Sequence, residues 1–123
     1  MPTTATLAVK SLDRADEVRP FAGHGHVEIV DFDGTPVMRG TFEPGWRWSN
    51  DLKPIAGTDS CEVAHFGYCL SGHMRVYMDD GGQIDITPGD AVTIPPGHDA
   101  ETIGDEACVF VDFGDVRNYA RKH

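Results

Sequence analysis

The chain has 123 residues, with 10 Lys and Arg against 20 Asp and Glu, and its formal net charge at pH 7 is −10. A chain of this length forms one hydrophobic core but not two domains. Such an acidic protein lacks the basic surface that neutralises phosphates, which excludes nucleic acid as a partner, and an anionic membrane surface repels it. No apolar run approaches the roughly 18 residues of a membrane span, and three cysteines without paired spacing indicate free thiols. We therefore expect a single cytoplasmic domain.

The first 23 residues are polar and show no sustained periodicity. We predict that residues 1–23 form a loosely held arm and that residues 24–123 form one domain. From Val27 onward, the apolar residues occur in short runs separated by Gly, Pro and Asp, which is typical of strands joined by turns. The predicted strands cover residues 27–32, 36–42, 46–53, 61–70, 73–78, 83–86, 91–94, 100–103 and 107–113.

The spacing of these strands sets the fold class. The run 46–53 is assigned to a strand because Trp46, Trp48 and Leu52 share one face in an alternating pattern. No segment shows a convincing helical period. Short strands that recur about every 8 to 12 residues predict an all-β fold, either a closed antiparallel barrel or a double-sheet sandwich.

Two motifs point to a family. The segment Gly89–Gly97, GDAVTIPPG, is similar to the second signature of the cupins, in which Gly is followed after five residues by Pro-x-Gly and then by two residues and His. The first cupin signature closes with Glu, six residues and Gly, and His65 and Gly72 have that spacing. The chain therefore resembles a small single-domain cupin of the conserved-barrel type. The resemblance implies a double-stranded β-helix, a jelly-roll barrel of short antiparallel strands.

The resemblance also implies a metal site, because many cupins bind Fe, Mn, Ni, Zn or Cu through a His pair, a Glu and a last His. This chain departs from that set. His65 stands where the family has its Glu, and Asp51 and Lys53 stand where the His pair would fall. Ala100 takes the place of the last His, and the nearest imidazole is His98.

A mixed set of donors is nevertheless available. Cys61, His65 and His98, together with Asp51 or Glu101, carry the thiol, imidazole and carboxylate groups that divalent transition metals prefer. On a continuous strand Cys61 and His65 would lie about 13 Å apart. They share one ion only if the chain bends near Cys61.

The same residues have structural explanations, and both stay open. His65 is a metal ligand or an inward histidine hydrogen-bonded to a neighbour such as Tyr68 or Asp51. Cys61 is a metal ligand or a small buried residue. A protein without any metal is thus as consistent with the sequence as one with a metal.

A binding pocket is expected inside the barrel. Trp46, Trp48 and Tyr68 are the candidate residues for its wall, because aromatic side chains often line ligand cavities. His98 and Asp99 are predicted to lie in the Pro-Pro-Gly loop, which should border the barrel mouth, so they are the candidates for an oriented general base.

Two classes of function remain. The first is an enzyme of the metal-dependent oxygenase or isomerase type, in which a divalent metal acts on a small molecule in the barrel. The second is a metal-free ligand-binding or sensing module without catalysis. The partner is a small molecule in both cases. The resemblance also implies a homodimer, since uncovered strand edges favour pairing.

Overall fold

The computed structural model describes residues 6–121, and this part of the chain contains nine strands, two short α-helices and two 3-10 helices of three residues each, Leu12–Arg14 and Val116–Asn118. No helix in the described part is long and apolar enough to cross a membrane. The elements in chain order are β1 (Glu17–Pro20), β2 (Gly25–Phe32), β3 (Thr35–Phe42), α1 (Trp48–Asp51), α2 (Lys53–Ala56), β4 (His65–Ser71), β5 (Met74–Met78), β6 (Gln83–Ile86), β7 (Ala91–Ile94), β8 (His98–Thr102) and β9 (Cys108–Asp112).

The strands form two antiparallel sheets. The larger sheet has the order β1-β2-β3-β9-β4-β7, and the smaller one has the order β6-β5-β8. Burial alternates along β4, β8 and β9, as expected for strands with one face on a core. Buried residues from both sheets join in one hydrophobic cluster. The predicted all-β class is therefore confirmed.

The segment 46–53 is a correction to the predicted strands. It contains α1 and the start of α2, because Asp51 and Leu52 donate backbone hydrogen bonds four residues back to Arg47 and Trp48. The spacing of the buried residues Trp48, Asp51 and Leu52 fits a helix as well as a strand, and so the alternating pattern was ambiguous. Pro54 in the first turn of α2 is also compatible with a helix.

The predicted arm, residues 1–23, lies partly outside the described residues, which begin at residue 6. Within it, β1 pairs with β2 along its whole length. Phe21 follows β1 and stacks on Phe42, with ring centres 5.5 Å apart. This segment is thus an edge strand of the larger sheet with an aromatic anchor in the core.

Candidate metal centre

Cys61 and His98 are brought together by the backbone. The amide of Cys61 donates to the carbonyl oxygen of His98 at 2.7 Å, and the amide of Gly97 donates to the carbonyl oxygen of Cys61 at 2.8 Å. Gly97 has a φ of +92° in the turn before β8, a backbone conformation that residues other than glycine rarely adopt. The Pro-Pro-Gly turn therefore sets the first residue of β8 against Cys61. His98 begins a strand, where the sequence suggested a loop.

His65 reaches the same place because the chain bends between Cys61 and β4. Cys61 forms an isolated bridge, residues 62–64 belong to no strand, and β4 begins at His65. The Sγ atom of Cys61 lies 3.7 Å from Nε2 of His65. The condition for a shared site, a bend near Cys61, is met. The backbone at His65 also packs closely against Gly114, where a Cβ would lie only 2.9 Å from Cα of His65. Glycine at position 114 therefore allows this close approach.

The three side chains form one compact group. Their candidate ligand atoms, Sγ of Cys61 and one ring nitrogen each of His65 and His98, all lie within 4.8 Å of one another, and all three residues are buried. The two imidazole rings are tilted with their centres 5.3 Å apart. No other group of this kind occurs in the part of the chain that the structure describes.

Asp112 orients His65. Nδ1 of His65 donates to Oδ2 of Asp112 at 2.5 Å, and the other carboxylate oxygen accepts the amides of Phe66 and Gly114. Asp112 is the last residue of β9 and its side chain lies on the buried face of that strand. Because Nδ1 is occupied, Nε2 of His65 is the nitrogen that is left for another partner.

His98 is oriented in the same way by the backbone. Its Nδ1 donates to the carbonyl oxygen of Pro95 at 2.8 Å. Histidines that bind metals commonly donate their second ring nitrogen to a carboxylate or a carbonyl group, which fixes the ring and its tautomer. His65 donates to a carboxylate, that of Asp112, and His98 donates to a carbonyl group, that of Pro95.

The electrostatics of the group favour a thiolate beside an imidazolium when no metal is bound. Burial alone would raise the pKa of the Cys61 thiol, but hydrogen bonds with His65 and His98 outweigh it and lower the pKa to about 7. Burial alone would lower the pKa of His65, but hydrogen bonds with Asp112 and Cys61 outweigh it and raise the pKa to about 9. A thiol that ionises this easily is suited to metal ligation, which requires the thiolate.

A small cavity adjoins the two imidazoles. Its volume is about 30 Å³, and nine of the thirteen residues that line it are apolar. Trp46 and Trp48, the residues that the sequence suggested for a pocket wall, line this cavity together with His65 and His98. Tyr119 closes another part of it, with its ring edge-on to that of His65 at 5.0 Å between centres.

Tyr119 is held in place by the N-terminal strand. Nη1 of Arg19 in β1 donates to the carbonyl oxygens of Val116 at 3.1 Å and Tyr119 at 2.7 Å. Glu17 in turn accepts two hydrogen bonds from the same guanidinium group. An edge strand therefore anchors the C-terminal segment that covers the cavity.

Three of the predicted site residues lie elsewhere. Asp51 is not in the metal group, because its carboxylate accepts hydrogen bonds from Nδ1 of His24 and from the amide of Arg47. Tyr68 is 40% exposed, since even-numbered positions of β4 face outward and His65 faces inward. It is neither part of the cavity wall nor the partner of His65.

Asp99 also points away from the cavity, because it follows inward-facing His98 in a strand. Its carboxylate accepts the amide of Ser49 at 3.1 Å and bonds with Arg47. Glu101, the alternative carboxylate donor, faces the same outer side and bonds with Arg47 and Tyr77. Asp99 therefore joins α1 to β8, and the predicted His98 and Asp99 pair is not assembled as a general base.

Sequence reasoning did not identify Asp112, Tyr119 or Arg19. Asp112 carried a usable signal, because it lies in phase with the buried residues Cys108 and Phe110, and a carboxylate at such a position needs a partner. Tyr119 and Arg19 lie in segments without periodicity, so only the folded chain brings them to the cavity.

Comparisons with known proteins agree with the architecture. The family described as Cupin domain matches residues 57–114, which include Cys61, His65 and His98. A comparison with curated protein sequences finds no match.

Similar solved structures share the fold at low identity. An uncharacterized conserved protein with a double-stranded beta-helix domain from Klebsiella pneumoniae is 22% identical, with a TM-score of 0.59 over 89% of this chain and 90% of the other. The polyketide cyclase RemF from Streptomyces resistomycificus is 19% identical, with a TM-score of 0.62 over 89% and 79%. A sugar phosphate isomerase of the cupin superfamily from Silicibacter pomeroyi is 19% identical, with a TM-score of 0.62 over 88% and 75%. The predicted double-stranded β-helix is confirmed.

Proposed function

The chain belongs to the cupin superfamily, and from this premise we propose that it binds one divalent transition-metal ion through Cys61, His65 and His98. The ion would act as a Lewis acid on a small molecule that occupies the adjoining cavity. Asp51, the fourth residue that the sequence suggested as a ligand, has no part in this set, because its carboxylate is engaged with His24 and Arg47.

One observation carries the proposal. The three donor atoms lie within 4.8 Å of one another. Nδ1 of His65 is already hydrogen-bonded to Asp112, and Nδ1 of His98 to the carbonyl oxygen of Pro95. Nε2 of His65 is thereby directed at the thiol of Cys61, 3.7 Å away. This combination of donors and orienting partners fits a metal site with three protein ligands and an open position.

The donor set narrows the choice of metal. One thiolate and two imidazoles suit Zn, Fe, Cu or Ni better than Mn, which prefers oxygen ligands. A divalent metal at such a site supplies Lewis acidity to an oxygen atom of a small molecule or of water. Asp112 would keep Nε2 of His65 directed at the ion, and the apolar wall around Trp46 and Trp48 would limit the access of water.

A second candidate function is metal-free binding of a small molecule. The observation in its favour is the cavity itself, which is largely apolar and lies between the two sheets whatever occupies the Cys61 group. In this case the contacts of Cys61, His65 and Asp112 would be structural. The fold similarity to a cyclase and an isomerase does not separate the two functions, because one fold serves many chemistries.

Titration of the metal-free protein with cobalt(II) tests the proposal. Binding through Cys61 should produce the near-ultraviolet charge-transfer band of a cobalt thiolate at one equivalent per chain. Cys61→Ala should lose this band, and Cys69→Ala should keep it, because Cys69 is an equally buried thiol that contacts Cys108 instead. A folded wild-type protein without a thiolate band would favour metal-free binding.

A further inference from the structure

The cavity beside His65 and His98 is closed off from solvent. Its wall consists of thirteen residues, and none of them is more than 8% exposed. Because protein interiors are closely packed, a small molecule can enter such a space only when part of the wall moves aside. The position of that movable part is a property of the site that the arrangement of Cys61, His65 and His98 does not reveal.

A larger cleft lies on the surface directly outside one part of this wall. Its volume is about 220 Å³, and its lining residues come from the ends of β5, β6 and β7 and the turns beside them. Ile94, the last residue of β7, lines both the cleft and the cavity. It is also the register partner of His65 in the neighbouring strand. The side chain of Ile94 therefore separates the open cleft from the space beside His65.

Ile94 lies at a gap between the two sheets. β6 is an edge strand of the smaller sheet, and β7 is an edge strand of the larger one. Within residues 6–121, no backbone hydrogen bond joins β6 to β7, although the two strands are connected through residues 87–90. A side chain that moves at this gap therefore breaks no hydrogen bond between the sheets, and regions without such bonds open most easily.

Other parts of the wall are tied together by hydrogen bonds. The amide of Thr102 donates to the carbonyl oxygen of Trp46 at 3.0 Å, and its hydroxyl group donates to the carbonyl oxygen of Phe42 at 3.1 Å. Arg19 holds the C-terminal segment at Tyr119. The strands β3, β9 and β4 are hydrogen-bonded neighbours in one sheet. An opening at any of these places would cost hydrogen bonds that the gap between β6 and β7 does not contain.

We propose that small molecules enter the cavity through the gap between β6 and β7, and that the side chain of Ile94 is the gate. The inference rests on the proposed function in one respect, namely that a small molecule occupies the cavity. Rotation of Ile94 to another staggered rotamer moves its side chain out of the partition and joins the two spaces. Ile94 thus controls which molecules reach His65, without binding the metal itself.

Three isoleucines near the gap provide a matched set of variants. Ile94 lines both spaces, Ile86 lines the cavity but not the cleft, and Ile84 lines the cleft but not the cavity. Replacement by alanine removes the same atoms at each position. Ile86 and Ile94 are 1% and 6% exposed, so these two variants both lose buried contacts. Only Ile94→Ala removes the partition between cleft and cavity.

Quenching of tryptophan fluorescence by acrylamide tests the gate in the metal-free full chain. The chain contains two tryptophans, Trp46 and Trp48, and both are buried in the wall of the cavity. Acrylamide is a small uncharged molecule that quenches an indole ring on close contact. We expect Ile94→Ala to raise the quenching rate constant, measured from fluorescence lifetimes, several-fold above the wild type. Ile86→Ala and Ile84→Ala should stay at the wild-type value.

The outcomes separate the gate from the metal proposal. A wild-type rate constant in folded Ile94→Ala, or an equal rise in Ile86→Ala, would overturn the gate. If Ile94→Ala does not fold, Ile94→Val and Ile86→Val replace the pair, with a smaller rise expected in Ile94→Val alone. If cobalt(II) binds but all variants are quenched equally, the gate is wrong and the metal site stands. If the expected quenching pattern occurs in a protein that does not bind cobalt(II), the metal proposal fails and the entry route stands.

Discussion

Nδ1 of His65 donates to Oδ2 of Asp112 at 2.5 Å across two neighbouring strands, and this contact leaves Nε2 of His65 facing the Sγ atom of Cys61 at 3.7 Å. A carboxylate buried at the end of β9 thus determines which atom of an imidazole in β4 is presented to the cavity. The contact links the sheet register to the chemistry of the site, because a slip of one residue would turn His65 outward.

The role of Asp112 leads to the first prediction. Asp112→Asn keeps the shape of the side chain but removes the charge that accepts from His65, Phe66 and Gly114. Loss of such an orienting partner typically lowers metal affinity by about 10- to 100-fold. Competition with a zinc indicator, measured on the wild type and the variant, should show a decrease in this range.

The control for that experiment is Asp99→Asn. Asp99 is adjacent to His98 in sequence, but its carboxylate faces Ser49 and Arg47 on the outer side. Zinc affinity should stay at the wild-type value in this variant. Equal losses in the two variants would mean that the effect is a general loss of stability.

The second prediction concerns the ionisation of Cys61. Its pKa is lowered to about 7 by hydrogen bonds with His65 and His98, against an ordinary value of 9.0. Thiolate absorbance of the metal-free protein should therefore rise around pH 7, and this rise should be missing from Cys61→Ser. A first thiol ionisation near pH 9 in the wild type would show that the imidazoles do not stabilise the thiolate.

The fold was predictable because its signals are local. Turn residues punctuate the chain at almost every strand end, and eight of the nine observed strands coincide with predicted runs in position. The exception among the predicted runs is 46–53, where the spacing of buried residues such as Trp48 and Leu52 fits both the two-residue period of a strand and the 3.6-residue period of a helix. The strand β1 has only one buried residue, Arg19, so it left no apolar pattern to detect.

The site was predictable only in part, for a physical reason. Residue chemistry singled out Cys61, His65 and His98, but whether they meet depends on the bend at residues 62–64 and on the bridge between Cys61 and His98. The orienting carboxylate is Asp112, 47 positions from His65 along the chain. Such a distant pairing is set by the order of strands in the sheet, which a single sequence does not encode locally.

The third prediction is the pH dependence of stability in metal-free Cys61→Ser. In the wild type, burial lowers the pKa of His65, but hydrogen bonds with Asp112 and Cys61 outweigh burial and raise the pKa from 6.5 to about 9. In Cys61→Ser the contribution of Asp112 remains and that of the thiol is lost, so the stabilisation by the imidazolium is complete below pH 6.5 and is lost as the pH rises above this value. The free energy of unfolding, measured with urea, should fall over this range. Cys61→Ser combined with Asp112→Asn should not show this fall, because the imidazolium of His65 then has no carboxylate partner. A fall of the same size in the double variant would mean that groups other than His65 cause the pH dependence.

The homodimer stays a prediction, and the outer face of β4 is where it can be tested. Phe66 is 61% exposed and Leu70 is 54% exposed on this face. If a second copy covers them, Phe66→Ser should shift the protein from dimer to monomer in sedimentation velocity. Ile84→Ser is the control, because Ile84 is 46% exposed but lies on β6 in the other sheet. A wild-type monomer at micromolar concentration would contradict the prediction.

The central claim is a metal held by Cys61, His65 and His98, and elemental analysis of the protein purified without an affinity tag tests it most directly. The account predicts about one transition-metal ion per chain in the wild type, with most of it lost in His65→Ala and in His98→Ala. His73→Ala should retain the metal, because His73 lies outside the group and contacts Asp85. A wild-type protein that stays far below one equivalent after supplementation with zinc and iron, or variants that keep the metal, would contradict it.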